Sequence, residues 1–386
     1  MNREDFPMLE KEYIYFNNAS TAYKSKKVID SIVDYYNNYS VNINRGIDSL
    51  GYSVTEKYEG TRKKVANLLN VKKSEIVFTR GTTDSINLAT SYLESILEEG
   101  DEVLVSNEEH HAIFVTMQQL CIRKKIIFRV VDFEDLVNNI NEKTKVVATS
   151  HITNVLGKRS EIEKISNMKE KFNFLFLLDG AQGIVHENLD LEKLSIDFYA
   201  FSGHKLYGPM GVGVLYSKHF DKMSPITFGG EMVDIVDTYE TTFKKAPYKF
   251  EAGTMMVPEV IALGEAIDYI LSIGYEKINS HIFELRKYLI EEMKKIEGLN
   301  IYNEEQIKSN LITFNFKGLH SHDIATFLDK NKIIVRAGHH CAAPLMKKLN
   351  EPSTIRISLG LYNTLDECQK LVNVLKNKEG YLDVIF

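Results

Sequence analysis

Five short strings hold the residue types that could do chemistry. In FSGHKLYGP over 201–209, Lys205 lies in a glycine-rich loop directly after a strand-like run, with Ser202 and His204 beside it. A lysine amine can form a Schiff base with an aldehyde when its pKa is lowered, and simple solvation explains a lysine in this setting poorly. In FLFLLDGAQ over 174–182, Asp179 ends an apolar run. Open α/β sheets bind ligands at the carboxyl ends of their strands, and a buried carboxylate there requires a cationic partner. A cap or a structural ion pair would also account for it, but Gly180 and Ala181 leave room for a close ligand. The string Arg80-Gly81-Thr82-Thr83-Asp84 sits between a strand and a helix, where unpaired N–H groups favour an anion. Alone it reads better as an ordinary N-cap.

The fourth string is RAGHHC over 336–341, in which Cys341 follows His339 and His340. Imidazolium neighbours lower a thiol pKa, so this cysteine is a candidate nucleophile. An inert buried cysteine competes with that reading, as does a zinc site assembled with Glu109, His110 and His111. Adjacent histidines do not match structural zinc spacing, so no metal is expected. Cys121 and Cys368 lie in helical patterns without such company and read as packing residues. Fifth, Arg356 is a charge inside an apolar strand pattern. A substrate carboxylate gripped at both oxygens and an internal salt bridge account for it equally.

The elements that must position these residues alternate. Strand-like runs at 75–79, 102–106, 126–131, 145–150, 173–178, 197–202 and 212–217 are separated by helical patterns at 85–98, 112–124 and 161–171. That alternation predicts a mainly parallel sheet covered on both faces. Beyond residue 260 the order changes to helices at 261–273 and 281–296, a strand at 311–316, and a helix at 323–330. Strands at 333–336 and 354–358 and a helix at 365–376 complete a smaller α+β domain. The first 20 or so residues are expected to pack on that interface rather than stand alone.

Composition sets the outer limits. With 20 Phe and 20 Tyr in 386 residues, a wholly disordered chain is excluded. A net charge of −6 argues against broad nucleic-acid or anionic-membrane binding. No apolar run approaches a membrane span, and no secretory leader is legible. Three cysteines without a CxxC point to a reducing, cytoplasmic setting.

Taken in order, these strings resemble the class V aminotransferase-like enzymes that use pyridoxal phosphate, and within them the SufS/CsdA-type cysteine desulfurases with an RxGHHC loop. The matching strings run from YFNNA (15–19) through NRGI (44–47), RGTT (80–83), EHHA (109–112) and SHITNVLG (150–157). They continue through LDGAQ (178–182), FSGHKLYGP (201–209) and FEAGT (250–254) to LGLYN (359–363). The resemblance implies pyridoxal-phosphate fold type I, an α/β architecture with a mainly parallel seven-stranded sheet in the large domain and a smaller α+β domain. It divides the chain into an N-terminal segment at 1–20 packing with the small domain, a large cofactor-binding domain at 21–255, and a small domain at 256–386 that carries the cysteine loop.

The resemblance also implies roles. Lys205 would hold the cofactor and move the α-proton, Asp179 would pair with the ring nitrogen, and His110 would stack on the ring. Asn154 and Gln182 would flank the phenolic oxygen, while Thr82, Thr83, Ser202 and His204 would bind the phosphate. Thr254 would reach the phosphate of the partner subunit in a homodimer. Arg356 would grip the substrate α-carboxylate with Asn154 and Arg336 close by, and Cys341 would attack the substrate sulfur. L-cysteine would give L-alanine and a persulfide, passed to an acceptor of the SufE or SufU type in iron–sulfur cluster or related sulfur metabolism. Selenocysteine lyase, cysteine-sulfinate desulfinase, and another class V lyase or aminotransferase are the alternative readings. The pattern is departed from at Asn44, at Ile113 and at Met255-Met256.

Overall fold

In the computed structural model, which describes residues 2–43, 48–306 and 308–377, two short helical turns, Arg3–Asp5 and Pro7–Glu10, precede a short strand, β1 (Ile14–Tyr15). Helices α1 (Lys26–Asn38) and α2 (Ser49–Leu69) follow. Strands and helices then alternate: β2 (Ile76–Thr79), α3 (Thr82–Ile96), β3 (Glu102–Ser106), α4 (His111–Lys124), β4 (Ile127–Val131), β5 (Thr144–Ser150), α5 (Ile162–Met168), β6 (Leu175–Asp179), β7 (Phe198–Ser202) and β8 (Gly213–Ser217). A hairpin of β9 (Val233–Val236) and β10 (Thr241–Phe243) leads to α6 (Val257–Ile273) and α7 (Tyr275–Met293). The remainder is β11 (Leu299–Ile301), β12 (Leu311–Phe316), α8 (Ser321–Lys330), β13 (Ile333–Ile334), β14 (Arg336–Gly338), α9 (Ala343–Leu349), β15 (Thr354–Ser358) and α10 (Leu365–Lys376). The NRGI string, with its departure at Asn44, lies outside the described residues.

Seven strands form one sheet in the order β2-β8-β7-β6-β5-β3-β4. Only β8 runs against its neighbours, pairing antiparallel with both β2 and β7. The central strands β6 and β7 are apolar up to their last residue because both faces are covered. Alternate residues serve opposite layers: Leu177, Phe198 and Ala200 pack with α3 and α4 against Ile86, Leu93 and Met117. Leu178, Tyr199 and Phe201 belong to the other layer, with Val65 of α2 and Leu263 of α6. Every parallel strand therefore delivers its last residue to one edge of the sheet.

Four antiparallel strands in the order β11-β12-β15-β14 form the second sheet. The first strand, β1, pairs in parallel with β13, and Asn17 bridges to Ser358 at the end of β15. Several boundaries differ from the pattern: α6 starts at Val257 rather than at 261, and α7 spans Tyr275–Met293 rather than 281–296. Helix α3 starts at Thr82 rather than at 85, because Gly81, at φ 156°, forms its cap. The run at 333–336 divides between β13 and β14, which join different sheets. Helix α5 is shorter than the 161–171 pattern. Among the described residues no helix is long and apolar enough to cross a membrane.

Candidate active site

The end of β6, the end of β7, the start of α3 and the loop after β5 converge with β14, β15 and residues 19–20 on a cavity of about 210 Å3. Eleven of the residues singled out above line it: Thr82, Thr83, His110, Asn154, Asp179, Gln182, Ser202, His204, Lys205, Arg336 and Arg356. Cys341 and Thr254 do not. A larger cleft of about 770 Å3 lies elsewhere, along Lys158, Tyr302 and Lys348. Its lysines already pair with Glu108 and Glu134, whereas the unpaired chemistry collects in the smaller cavity.

Lys205 follows β7 in a single helical turn and faces the cavity. Burial draws its amine down to about 8; Asp179 opposes that shift, while Arg356 and Arg336 add to it. Asp179 is buried, and burial pushes its carboxyl up against the pull of Lys205 and of the Ala181 N–H, 2.9 Å from Oδ1. The bend after it requires Gly180, because a Cβ there would lie 2.1 Å from the Tyr199 ring. At the other end, the Thr82 N–H donates to Ser202 Oγ at 2.8 Å, and the two hydroxyl oxygens stand 2.7 Å apart. This brings the start of α3 onto the end of β7. Gly213 permits the approach: a Cβ there would meet Gly81 Cα at 2.4 Å.

His110 and His204 are neutral. Burial lowers them to about 3 and about 4, with the Lys205 charge contributing to both. His110 Nδ1 accepts from the Ala112 N–H at 3.0 Å, capping α4 and fixing the ring. Beneath it Glu109 is fully buried and accepts from Ser106 Oγ, Thr149 Oγ1, and the Ser150 N–H and hydroxyl, all within 2.7 Å. Its carboxylate is thus engaged away from His110 and His111, and among the described residues no group of three or more His, Cys, Asp or Glu is placed to hold a metal. Sequence reasoning weighed Glu109 only as a metal ligand; its work is to brace the loop before α4.

Arg336 and Arg356 stand opposite one another across the β14–β15 ladder. Burial, with the Arg336 charge beside it, lowers Arg356 to about 9. Its Nη1 donates to Asn154 O at 2.6 Å. Asn154 Nδ2 donates to His340 O at 2.7 Å, which ties the loop after β5 to the cysteine loop. Cys341 is half-buried, 3.5 Å from Arg336 Nη2. His340 and Cys341 both hold left-handed backbone, φ 53° and 57°. That conformation is braced by His111, whose N–H donates to Cys341 O at 2.7 Å and whose Nε2 accepts from the Ala343 N–H at 3.2 Å.

One expectation is corrected. His340 is not an imidazolium beside the thiol: burial and the Arg356 charge lower it to about 2. Its Nε2 lies 3.0 Å from Thr354 O, an atom that only accepts, so Nε2 carries the proton and the ring faces β15. The cation in contact with Cys341 is Arg336. Thr254 is exposed and away from the cavity of its own chain. Sequence reasoning missed Ser20, which lines the cavity, and the buried pair that supports residues 251–254. In that pair Arg62 grips Glu251 at 2.7 and 2.8 Å, and Glu251 also accepts from the Phe78 N–H.

The family model for aminotransferase class-V matches residues 14–371. A probable cysteine desulfurase of Halalkalibacterium halodurans is 40% identical over 398 residues, covering 99% of this chain and 98% of the relative. Another, of Staphylococcus aureus strain Mu50, is 42% identical over 401 residues, covering 99% and 97%. Among solved structures, the cysteine desulfurase CsdA from Escherichia coli superposes with a TM-score of 0.91 at 34% identity, covering 99% and 97% of the two chains. The cysteine desulfurase from Thermococcus onnurineus NA1 does so with 0.93 at 35%, covering 97% and 96%. With the lysine, acid and cysteine loop all arranged on a fold shared over nearly the full chain, the protein belongs to the aminotransferase class-V family.

Proposed function

We propose that this protein is a pyridoxal phosphate-dependent cysteine desulfurase that converts L-cysteine to L-alanine and leaves a persulfide on Cys341. The observation that carries the reading is the pairing of two half-sites. An amine lowered toward neutrality lies in a cavity with a buried acid, and a thiol in contact with a guanidinium stands beside it.

The residues present fit the cofactor. Among the described residues Asn154 Oδ1, His204 Nδ1 and Arg356 Nε are buried without a hydrogen-bond partner around the cavity, and such orphans call for a bound polar group. Hydroxyls of Thr82, Thr83 and Ser202 at a helix start suit a phosphate, and Asp179 suits a protonated ring nitrogen. When bound, pyridoxal phosphate supplies an electron sink that acidifies the substrate Cα–H and polarises its C–S bond. Lys205 would hold it and carry the α-proton on Nζ. His110, neutral and fixed by its own cap, would stack on the ring, and Gln182 and Asn154 would flank it. Arg356 receives the α-carboxylate, while Arg336 stabilises negative charge on Cys341 Sγ. The Cys341 thiolate attacks the substrate sulfur; the S–S bond forms as the C–S bond breaks. The electron pair stays on the carbon, which takes a proton and becomes the alanine methyl group. Cysteine and enzyme thiol are consumed, and alanine and enzyme persulfide are produced, so no external oxidant or reductant enters.

Two further parts belong to this reading. The exposed Thr254 completes the phosphate site of a partner subunit, making the working form a homodimer. The persulfide passes to a sulfur-acceptor protein of the SufE or SufU type, for iron–sulfur assembly or related pathways, in a reducing cytoplasm that keeps the three free cysteines as thiols. Alanine release from L-cysteine tests the core of it. Wild type should release alanine at a rate that rises with an acceptor, and Cys341→Ser should keep the cofactor and lose nearly all release. Normal alanine release by Cys341→Ser would refute the mechanism.

A further inference from the structure

Ser20 lies outside every functional string, yet its hydroxyl meets three polar groups at once. Ser20 Oγ is 2.6 Å from Asn17 Oδ1, 3.1 Å from Arg356 Nη2 and 3.3 Å from Arg336 Nη1. Valence fixes the roles. A guanidinium only donates, so the two arginines take both lone pairs of the hydroxyl, and its single proton goes to Asn17. The hydroxyl is then saturated and cannot rotate. Asn17 is anchored in turn, because its backbone bridges to Ser358 at the end of the strand that carries Arg356.

The two arginines face each other across the ladder, and among the described residues neither forms an ion pair with a carboxylate. Like charges placed directly opposite repel, and the oxygen of Ser20 is the acceptor they share. Each guanidinium has a second engagement: Arg336 on Cys341 Sγ at 3.5 Å, and Arg356 on Asn154 O at 2.6 Å. One hydroxyl therefore sets the orientation of the group that meets the carboxylate and of the group that meets the thiol.

We propose that Ser20 is a positioning residue for the substrate, its hydroxyl holding Arg356 and Arg336 in the orientation that receives an amino acid α-carboxylate while Arg336 stays on Cys341. This rests on the desulfurase reading above. Without the hydroxyl both charges remain and Arg336 keeps its contact with Cys341, but Arg356 is left with Asn154 O as its one anchor, so binding weakens while the bound substrate still reacts. Ser20→Ala should raise KM for L-cysteine roughly tenfold, the loss of about one charge-assisted hydrogen bond, with kcat within about twofold of wild type. The product L-alanine, titrated calorimetrically into the holoenzyme, should bind more weakly by a similar factor, a readout free of turnover. An unchanged KM and alanine affinity, or a loss of kcat at constant KM, would overturn the role of Ser20. If wild type itself made no alanine from L-cysteine, the desulfurase reading would fall instead, and equal alanine affinities would still decide against Ser20.

Discussion

Lys205 and Arg356 are each held away from their ordinary ionisation by burial, and each shift has a consequence. An amine captures a carbonyl only when neutral, and Lys205 is lowered from the usual lysine value to about 8. At pH 8 about half of it is therefore neutral, against under about 1% for an ordinary lysine. The rate at which apoenzyme takes up pyridoxal phosphate should climb as pH rises through about 8 and then level off, followed by absorbance. A rate still climbing steeply beyond pH 10 would mean that the amine is not lowered. Arg356 presents a planar fork that lysine lacks. Arg356→Lys should accordingly raise KM for L-cysteine at least about tenfold while retaining cofactor, as steady-state kinetics with a parallel absorbance spectrum would record.

At the scale of elements, the end of the cavity proposed for the phosphate depends on how closely the turn before α3 approaches β8. Gly213 has no Cβ because Gly81 occupies that space at 2.4 Å, backbone against backbone. Gly213→Ala should cost about 1–3 kcal/mol, as overpacking does, and should weaken cofactor retention. Thermal melting and dialysis against cofactor-free buffer would measure the two effects. This contact also marks where the sequence stopped being legible. The alternation of apolar strands and helical patterns foretold the parallel sheet, and ligand placement at strand ends drew attention to Asp179 and Lys205. Register across a sheet is a long-range property, so nothing in the string around Gly81 announced its meeting with Gly213. The same holds at the cysteine loop. Two adjacent histidines looked like the groups that activate Cys341, but β15 takes the His340 ring through Thr354, and Arg336 stands at the sulfur instead. Ser20 gave no local signal, because the two arginines it joins are more than 300 residues away.

At the scale of the whole molecule, the site is completed by segments far apart in sequence, and its supports are correspondingly remote. The Arg62–Glu251 pair is fully enclosed and joins α2 and β2 to the stretch that ends at Thr254. Arg62→Met would strand a buried carboxylate, at a cost of about 3–5 kcal/mol; urea denaturation should show a lower midpoint, and an unchanged one would mean that Glu251 finds another partner. Because Thr254 is exposed here and assigned to a second subunit's phosphate, light scattering should show a dimer at assay concentration. In the proposed mechanism all of these supports serve one event, the passage of a sulfur atom from substrate to Cys341. The most direct measurement is peptide mass spectrometry of holoenzyme exposed briefly to L-cysteine without acceptor. A single added sulfur on the peptide containing Cys341, with alanine formed alongside, is the expected result. Sulfur on Cys121 or Cys368 instead, or alanine formed with no sulfur on Cys341, would contradict the mechanism.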